Sequence, residues 1–256
     1  MNKVNLCLSG SGTVFYILFG AVKRILELRE IGELSGTSGG SIIVSMLAMG
    51  YSTKDIENII TNEIDLKSMK DFNFGLFLNS GNGILSGNKI YSMLKKYLNV
   101  NIKNSLYPIH IITTDNEKEQ KKVFTNNDNV MLYDCVRASM SIPIVFNTHE
   151  IDGIQYSDGG SVDNLAVDCF NNTNKIIALQ ISDNTKPSKA NNLLDSAIKF
   201  VRTSIKNNES DSIETVKNNL TLIKLYSEYN SLSFDFSKQD IKRMIETGYN
   251  QAKKVI

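Results

Sequence analysis

The sequence predicts an α/β protein, a three-layer α/β/α sandwich with a mostly parallel central sheet. Three observations lead there. Strand-like apolar runs alternate with helical patterns along the chain, which implies parallel crossovers and a sheet covered on both faces. The 256 residues, 41% of them apolar, are enough to bury one full core. There is no repeat, low-complexity tract or Pro-rich linker, and only three prolines. A single domain over residues 1–256 is therefore expected.

The elements follow in order. "KVNLCLSG" reads as a strand, Val4 to Leu8, running into a Gly/Ser turn. "FYILFGAVKRILELRE" sets Ile17, Leu18, Ala21, Val22, Ile25 and Leu28 on one helical face and Lys23, Arg24, Glu27 and Glu30 on most of the other. "GELSGTS" is a short extended segment and tight turn, with Ser35 and Ser41 expected as turn and helix-cap residues. "IIVSMLAMG" is a nearly all-apolar helix, expected to be buried and to end at Gly50. "TKDIENIITNE" is a further helix with Thr53 near its start. Residues 64–88 are the least regular stretch. "NKIYSMLKKYL" is an amphipathic helix, "PIHIITTD" and "KKVFTN" are strands, and "MLYDCVRASM" is a helix. "GIQYSDGG" is a strand entering a Gly turn, and "KIIALQIS" is a strongly apolar strand. "NLLDSAIKFVRTSI" and "DIKRMIETGYNQAKKVI" are amphipathic helices, with the strand "LTLIKLY" between them.

Composition narrows the function. A net charge of +1 argues against a broad nucleic-acid footprint. Cys7, Cys135 and Cys169 are widely spaced and odd in number, so reduced thiols in a cytoplasmic protein are expected. With two histidines, His110 and His149, a His-rich metal site is excluded on count, and no metal or cofactor is expected. The first residues carry no signal-peptide pattern, and no apolar run is long enough to span a bilayer. Any membrane contact would be peripheral.

The chemistry centres on "SGTSGGS", where Gly36, Ser38 and Gly40 form G-x-S-x-G between a strand and an apolar helix. The flanking glycines permit a sharp turn that exposes the serine at the sheet's carboxyl edge, and the helix N-terminus adds a positive dipole. Ser38 is the candidate nucleophile. It needs a base. A Ser–Asp–His order is impossible with Asp158 as its acid, because no histidine follows residue 149. Asp158, ending a strand before Gly159 and Gly160 in "YSDGGSVDNL", is one candidate. Asp115, at the end of "IITTD", is its rival. His149, in the polar connection "FNTHEIDG", could act alone, whereas His110 alternates with Ile109 and Ile111 as a structural residue would.

With these residues assembled, the sequence resembles the patatin-like phospholipases. The likeness rests on a G-x-G near the N-terminus, on G-T-S-G-G, and most specifically on "RASMSIPIVFNTHEIDGIQYSDGGSVDNLAV"; "IETGYNQAKK" resembles a familiar ending. The resemblance implies the α/β/α fold, a Ser-Asp dyad of Ser38 and Asp158 without histidine, and an acyl-enzyme on Ser38. It also implies a phospholipid or other lipid ester as substrate, met at a membrane surface. It places the oxyanion hole on the backbone N–H groups of Gly10, Ser11 and Gly12. Here the sequence departs from the pattern G-G-G-x-[RK]-G: Ser11 replaces the middle glycine, Val14 the basic residue and Phe15 the last glycine. A backbone donor survives glycine-to-serine if φ stays negative. The Val14 and Phe15 departures leave rate and head group open. The same dyad would serve a hydrolase or an acyltransferase, and a lipid-binding fold without turnover is the non-enzymatic alternative. Phe72, Phe74, Leu76, Phe77 and Leu78 in "FNFGLFLNSGNGIL" would form either a lid or interfacial loop, or the core beneath a long loop.

Overall fold

The computed structural model describes residues 3–73, 83–183, 199, 203 and 213–256. Its strands are β1 (Lys3–Leu8), β2 (Glu30–Thr37), β3 (Ile109–Asp115), β4 (Gln120–Thr125), β5 (His149–Ile151), β6 (Ile154–Asp158), β7 (Lys175–Asp183) and β8 (Leu220–Ser227). The main helices are α1 (Phe15–Leu26), α2 (Gly39–Ala48), α3 (Thr53–Asn58), α4 (Asn88–Tyr97), α5 (Leu132–Ser139) and α6 (Lys238–Lys253). The strands form one sheet in the order β5-β6-β3-β2-β1-β7-β8, with β4 also paired to β3. β1 runs parallel to β2 and β7, β2 to β3, and β7 to β8. The antiparallel pairs β3–β4, β3–β6 and β5–β6 gather on one side of the sheet. The fold class is the α/β one that the sequence predicts.

Alternation within the central strands assigns the two faces. Leu6 and Leu8 of β1, with Ile177 and Leu179 of β7, join the large core beneath α1, α2 and α6. Cys7, Ile176 and Ala178 point the other way, into a smaller cluster with Leu165 and Val167. Every residue of α2 is buried, as its apolar sequence requires. The glycine of "IETGY" has a packing role. A Cβ on Gly248 of α6 would land on the Ile17 carbonyl oxygen of α1, and one on Gly20 of α1 would land on the Ile245 carbonyl oxygen of α6. Each helix thus lets the other's backbone approach.

Several expectations are corrected. α1 stops at Leu26, and the residues from Glu30 onward belong to β2, where Glu30 pairs with Lys3. Ser35 lies inside β2, not in a turn, and its hydroxyl donates to the Ala166 carbonyl. Ser41 lies within α2 and donates to the Ser38 carbonyl. His149 belongs to a strand rather than a connection. β5 and β6 form a hairpin whose tip, Asp152-Gly153, has φ of 52° and 80°, the left-handed pair that Asp-Gly favours. Most of "NLLDSAIKFVRTSI" and residues 74–82, with Phe74, Leu76, Phe77 and Leu78, lie outside the described residues. The free cysteines are Cys7 and Cys135, both buried, and Cys169, partly buried. Among the described residues no helix is long and apolar enough to cross a membrane.

Candidate active site

One strand brings the two candidate residues together. The first half of β3 pairs with β2, so that Thr37 lies opposite Ile112. The second half pairs with β6, so that Asp158 lies opposite Thr113. β2 rises to this point and β6 descends to it. Ser38, one residue past Thr37, and Asp158 therefore meet over neighbouring residues of a single template strand.

Ser38 holds a strained turn. Its φ of 48° and ψ of −124° are values that L-residues rarely adopt, and such outliers concentrate at functional sites. The flanking glycines make the turn possible. A Cβ on Gly36 would meet a Val44 methyl at 2.5 Å, and one on Gly40 would meet the Ser9 carbonyl oxygen at 2.5 Å. α2 begins immediately after Ser38, so its N-terminal dipole lies under the hydroxyl. The Ser38 N–H donates to Ser139 Oγ at 2.8 Å, and Ser139 Oγ donates to the Ile112 carbonyl at 2.6 Å. Ser139 thereby ties the turn to the template strand.

Asp158 is 3% exposed. Its Oδ1 accepts the Gly160 N–H at 2.7 Å, while Oδ2 has no hydrogen-bond partner among the described residues. Its N–H donates to the Ser141 carbonyl, and its carbonyl accepts from Thr114 Oγ1. Burial pushes the carboxyl from 3.8 up to about 6, against the opposing pull of the Ser38 hydroxyl and the Gly160 N–H. The hydroxyl thus faces the carboxyl closely enough to act on its charge, without forming a full Oγ–Oδ2 hydrogen bond at rest. Resting sites often hold such contacts long.

The Gly10–Gly12 loop lies beside this pair. A Cβ on Gly10 would come within 3.4 Å of Ser38 Cβ. The Gly10 N–H is engaged by the Asn164 carbonyl at 3.2 Å, whereas those of Ser11 and Gly12 make no hydrogen bond to the described residues. Ser11 keeps a negative φ, −143°. Thr13 fixes the far end of the loop through its N–H and hydroxyl, both donating to the Ser231 carbonyl. Val14 and Phe15 are buried in the core, so the positions that depart from the motif pack the first turn of α1.

The rival residues are engaged elsewhere. Asp115 Oδ1 accepts the N–H groups of Glu117 and Lys118 in the β3–β4 turn. His149, on the far side of β6 from β3, bonds Asp134 at 2.8 Å and packs on Tyr91. His110 is paired with Glu33 at 2.9 Å, inside the sheet and opposite Ser35 rather than Ser38. Among the described residues no group of three or more His, Cys, Asp or Glu could hold a metal.

An apolar cavity with about 520 Å³ of empty space reaches Ser38 and Gly39. Ile42, Ile64, Met69, Ile90, Phe146 and Phe234 are among its walls.

Ser38 and Asp158 both fall within residues 6–170, the span matched by the Patatin-like phospholipase family model. The chain belongs to the patatin-like phospholipase family. Membership supports lipid hydrolysis as its activity. Two uncharacterised proteins of Acanthamoeba polyphaga mimivirus are similar to it. One is 25% identical over 280 aligned positions, covering 98% of this chain and 93% of the relative. The other is 26% identical over 186, covering 54% and 50%. Among solved structures, VipD from Legionella pneumophila superposes with a TM-score of 0.64 at 13% identity, covering all of this chain and 67% of VipD. The type III effector ExoU of Pseudomonas aeruginosa gives 0.51 at 11%, covering 99% of this chain and 52% of ExoU. At these identities the likeness is one of fold.

Two further residues of this patatin-like site were not singled out from sequence: Ser139, which holds Ser38, and Asn164, which engages Gly10. Both lie inside the quoted stretch 137–167. Only the fold reveals their partners, more than a hundred residues away along the chain.

Proposed function

We propose that this protein is a serine lipid acyl-ester hydrolase of the phospholipase A or lysophospholipase type. One observation carries the reading: a strained Ser38 faces a buried Asp158 of raised pKa at the end of an apolar cavity. Asp158 takes the Ser38 hydroxyl proton as Oγ attacks the ester carbonyl. The carbonyl π pair moves onto oxygen and returns as the alkoxy group leaves with the proton. Water then attacks the acyl-Ser38 ester, giving a proton to Asp158, which passes it to Ser38 Oγ as the fatty acid is released. The N–H groups of Ser11 and Gly12 hold the developing oxyanion. Gly10, whose N–H already has an acceptor, shapes the loop. The acyl chain lies in the cavity. Phe72, 62% exposed, and Ile144, 42% exposed, meet the lipid surface; Ile84 links their segments through hydrogen bonds with Asn73 and Ile144. No cofactor takes part.

The test is turnover of phospholipids, lysolipids and neutral glycerides with mass-spectrometric product analysis, for the native protein and Ser38→Ala. Free fatty acid from the native protein alone, with a fluorophosphonate adduct on Ser38, is the expected result. Full turnover by folded Ser38→Ala would refute the serine mechanism. Acylation of an added lysolipid in place of fatty-acid release would make the protein a transferase.

A further inference from the structure

Arg137 is a buried charge that the dyad chemistry does not use. It lies near the end of α5 and is 3% exposed. Burial lowers its guanidinium pKa only to about 10, so it is charged at neutral pH. A buried cation is costly without a carboxylate, yet its hydrogen-bond partners among the described residues are all neutral. Nη1 donates to Ser141 Oγ at 2.6 Å, and Nη2 donates to the carbonyls of Ser86 at 3.0 Å and Asn147 at 3.2 Å. The Ser141 hydroxyl donates in turn to the Arg137 carbonyl at 3.0 Å. Cζ lies 5.7 Å from the ring centre of Phe146, a wall of the cavity. Space is kept for the guanidinium, because a Cβ on Gly87 would collide with Nη2.

The turn that this guanidinium fastens holds both members of the proposed dyad. Ser139 Oγ accepts the Ser38 N–H, and the Ser141 carbonyl accepts the Asp158 N–H at 2.9 Å. These two anchors are neighbours at the end of α5, and both serines are fully buried. Ser38 and Asp158 are thus spaced twice, once along β3 and once along this turn. We propose that Arg137 is a positioning residue for Ser38 and Asp158, locking the Ser139–Ser141 turn that holds both and bracing it against the cavity wall at Phe146. This rests on Ser38 and Asp158 being nucleophile and base. Arg137 touches neither reacting group. Its planar fork reaches three acceptors on separate segments at once, which a lysine ammonium on a flexible stem cannot hold together.

Arg137→Lys tests this, because it keeps the charge and loses the fork. On a short soluble ester, kcat should fall about 10–100-fold with KM held, the scale of a small misplacement of reacting groups. Fluorophosphonate labelling of Ser38 should slow by a similar factor. Ser141→Ala keeps the carbonyl that holds Asp158 and cuts only the link to Arg137, so its kcat should fall about 3–10-fold. The double variant should be no slower than Arg137→Lys, since both changes break one path. Gly20→Ala, which disturbs the remote α1–α6 contact, controls for lost stability and should keep its kcat. An unchanged kcat in folded Arg137→Lys would overturn the proposal. So would losses that multiply in the double variant, or an equal loss in Gly20→Ala. If Arg137→Lys does not fold, a native kcat in Ser141→Ala overturns the proposal by itself. Ser38→Ala and Asp158→Asn measured alongside separate the failures. If both are inactive while Arg137→Lys and Ser141→Ala are fully active, only the Arg137 proposal falls; if Ser38→Ala is active, both readings fall.

Discussion

Asp158→Asn should make the protein more stable while it removes activity. A carboxyl whose native pKa is raised from 3.8 to about 6 favours the neutral form in the folded state. Its contribution to stability is complete below the unfolded pKa and is lost as pH rises through 6. Above pH 7 the native state therefore carries a charged, buried carboxylate at a cost of about 3 kcal/mol, from 1.36 kcal/mol per pK unit. Asparagine has no charge to bury. It keeps the carbonyl oxygen that accepts from Gly160, and its amide N–H can donate toward Ser38 from the position of the unpartnered Oδ2. At pH 8 the variant should be about 2–3 kcal/mol more stable, a Tm rise on the order of 5–10 °C for a chain of this size. The gain should shrink through pH 6 and vanish near pH 4. Thermal melts of both proteins across pH 4–8 measure it. Ester turnover should fall about 10²–10⁴-fold, the range for losing a general base. Equal stability at pH 8, or a gain as large at pH 4 as at pH 8, would refute the burial argument.

Three further outcomes follow from the same geometry. Ser38→Gly and Ser38→Ala should both be inactive, but the glycine variant should be about 1–2 kcal/mol more stable in urea melts, because only glycine adopts φ 48°, ψ −124° without strain. Ser139→Ala removes one hydroxyl from two buried partners, the Ser38 N–H and the Ile112 carbonyl; it should cost about 1–3 kcal/mol and lower kcat more than it raises KM. Gly20→Ala drives a methyl into the Ile245 carbonyl of α6 and should cost about 1–3 kcal/mol in chemical denaturation while sparing kcat in the folded protein.

The strands were legible because they are apolar and punctuated by turn residues, and α2 because it is apolar on every side. The sharp turn at Ser38 was legible through the spacing of its glycines. Asp158 stood level with Asp115 until the resemblance separated them, and the structure shows why local sequence could not. Both carboxylates end strands next to turns, and only the pairing partner of each strand distinguishes them. The β5–β6 hairpin was missed although "IDGI" carries its turn signal, because β5 is three residues long and begins with the polar pair His149-Glu150. The C-terminal limit of α1 was misplaced because "LELRE" continues a helical pattern, whereas pairing of Glu30 with Lys3 claims those residues for the sheet.

The meeting of Thr37 and Asp158 on adjacent positions of β3 also sets how this site can vary. The distance between the proposed nucleophile and base is counted along β3, independently of the loop lengths that deliver either strand. Residues inserted at the Asp152-Gly153 tip, at the far end of β6, would lengthen the hairpin outward and leave that count unchanged. A slip of β6 along β3 is different. The smallest shift that keeps side chains on their proper faces is two residues, roughly 7 Å, and it would carry the carboxylate out of reach altogether. The site is consequently permissive toward change at the hairpin tip and all-or-none toward change in pairing, with no half-assembled register between.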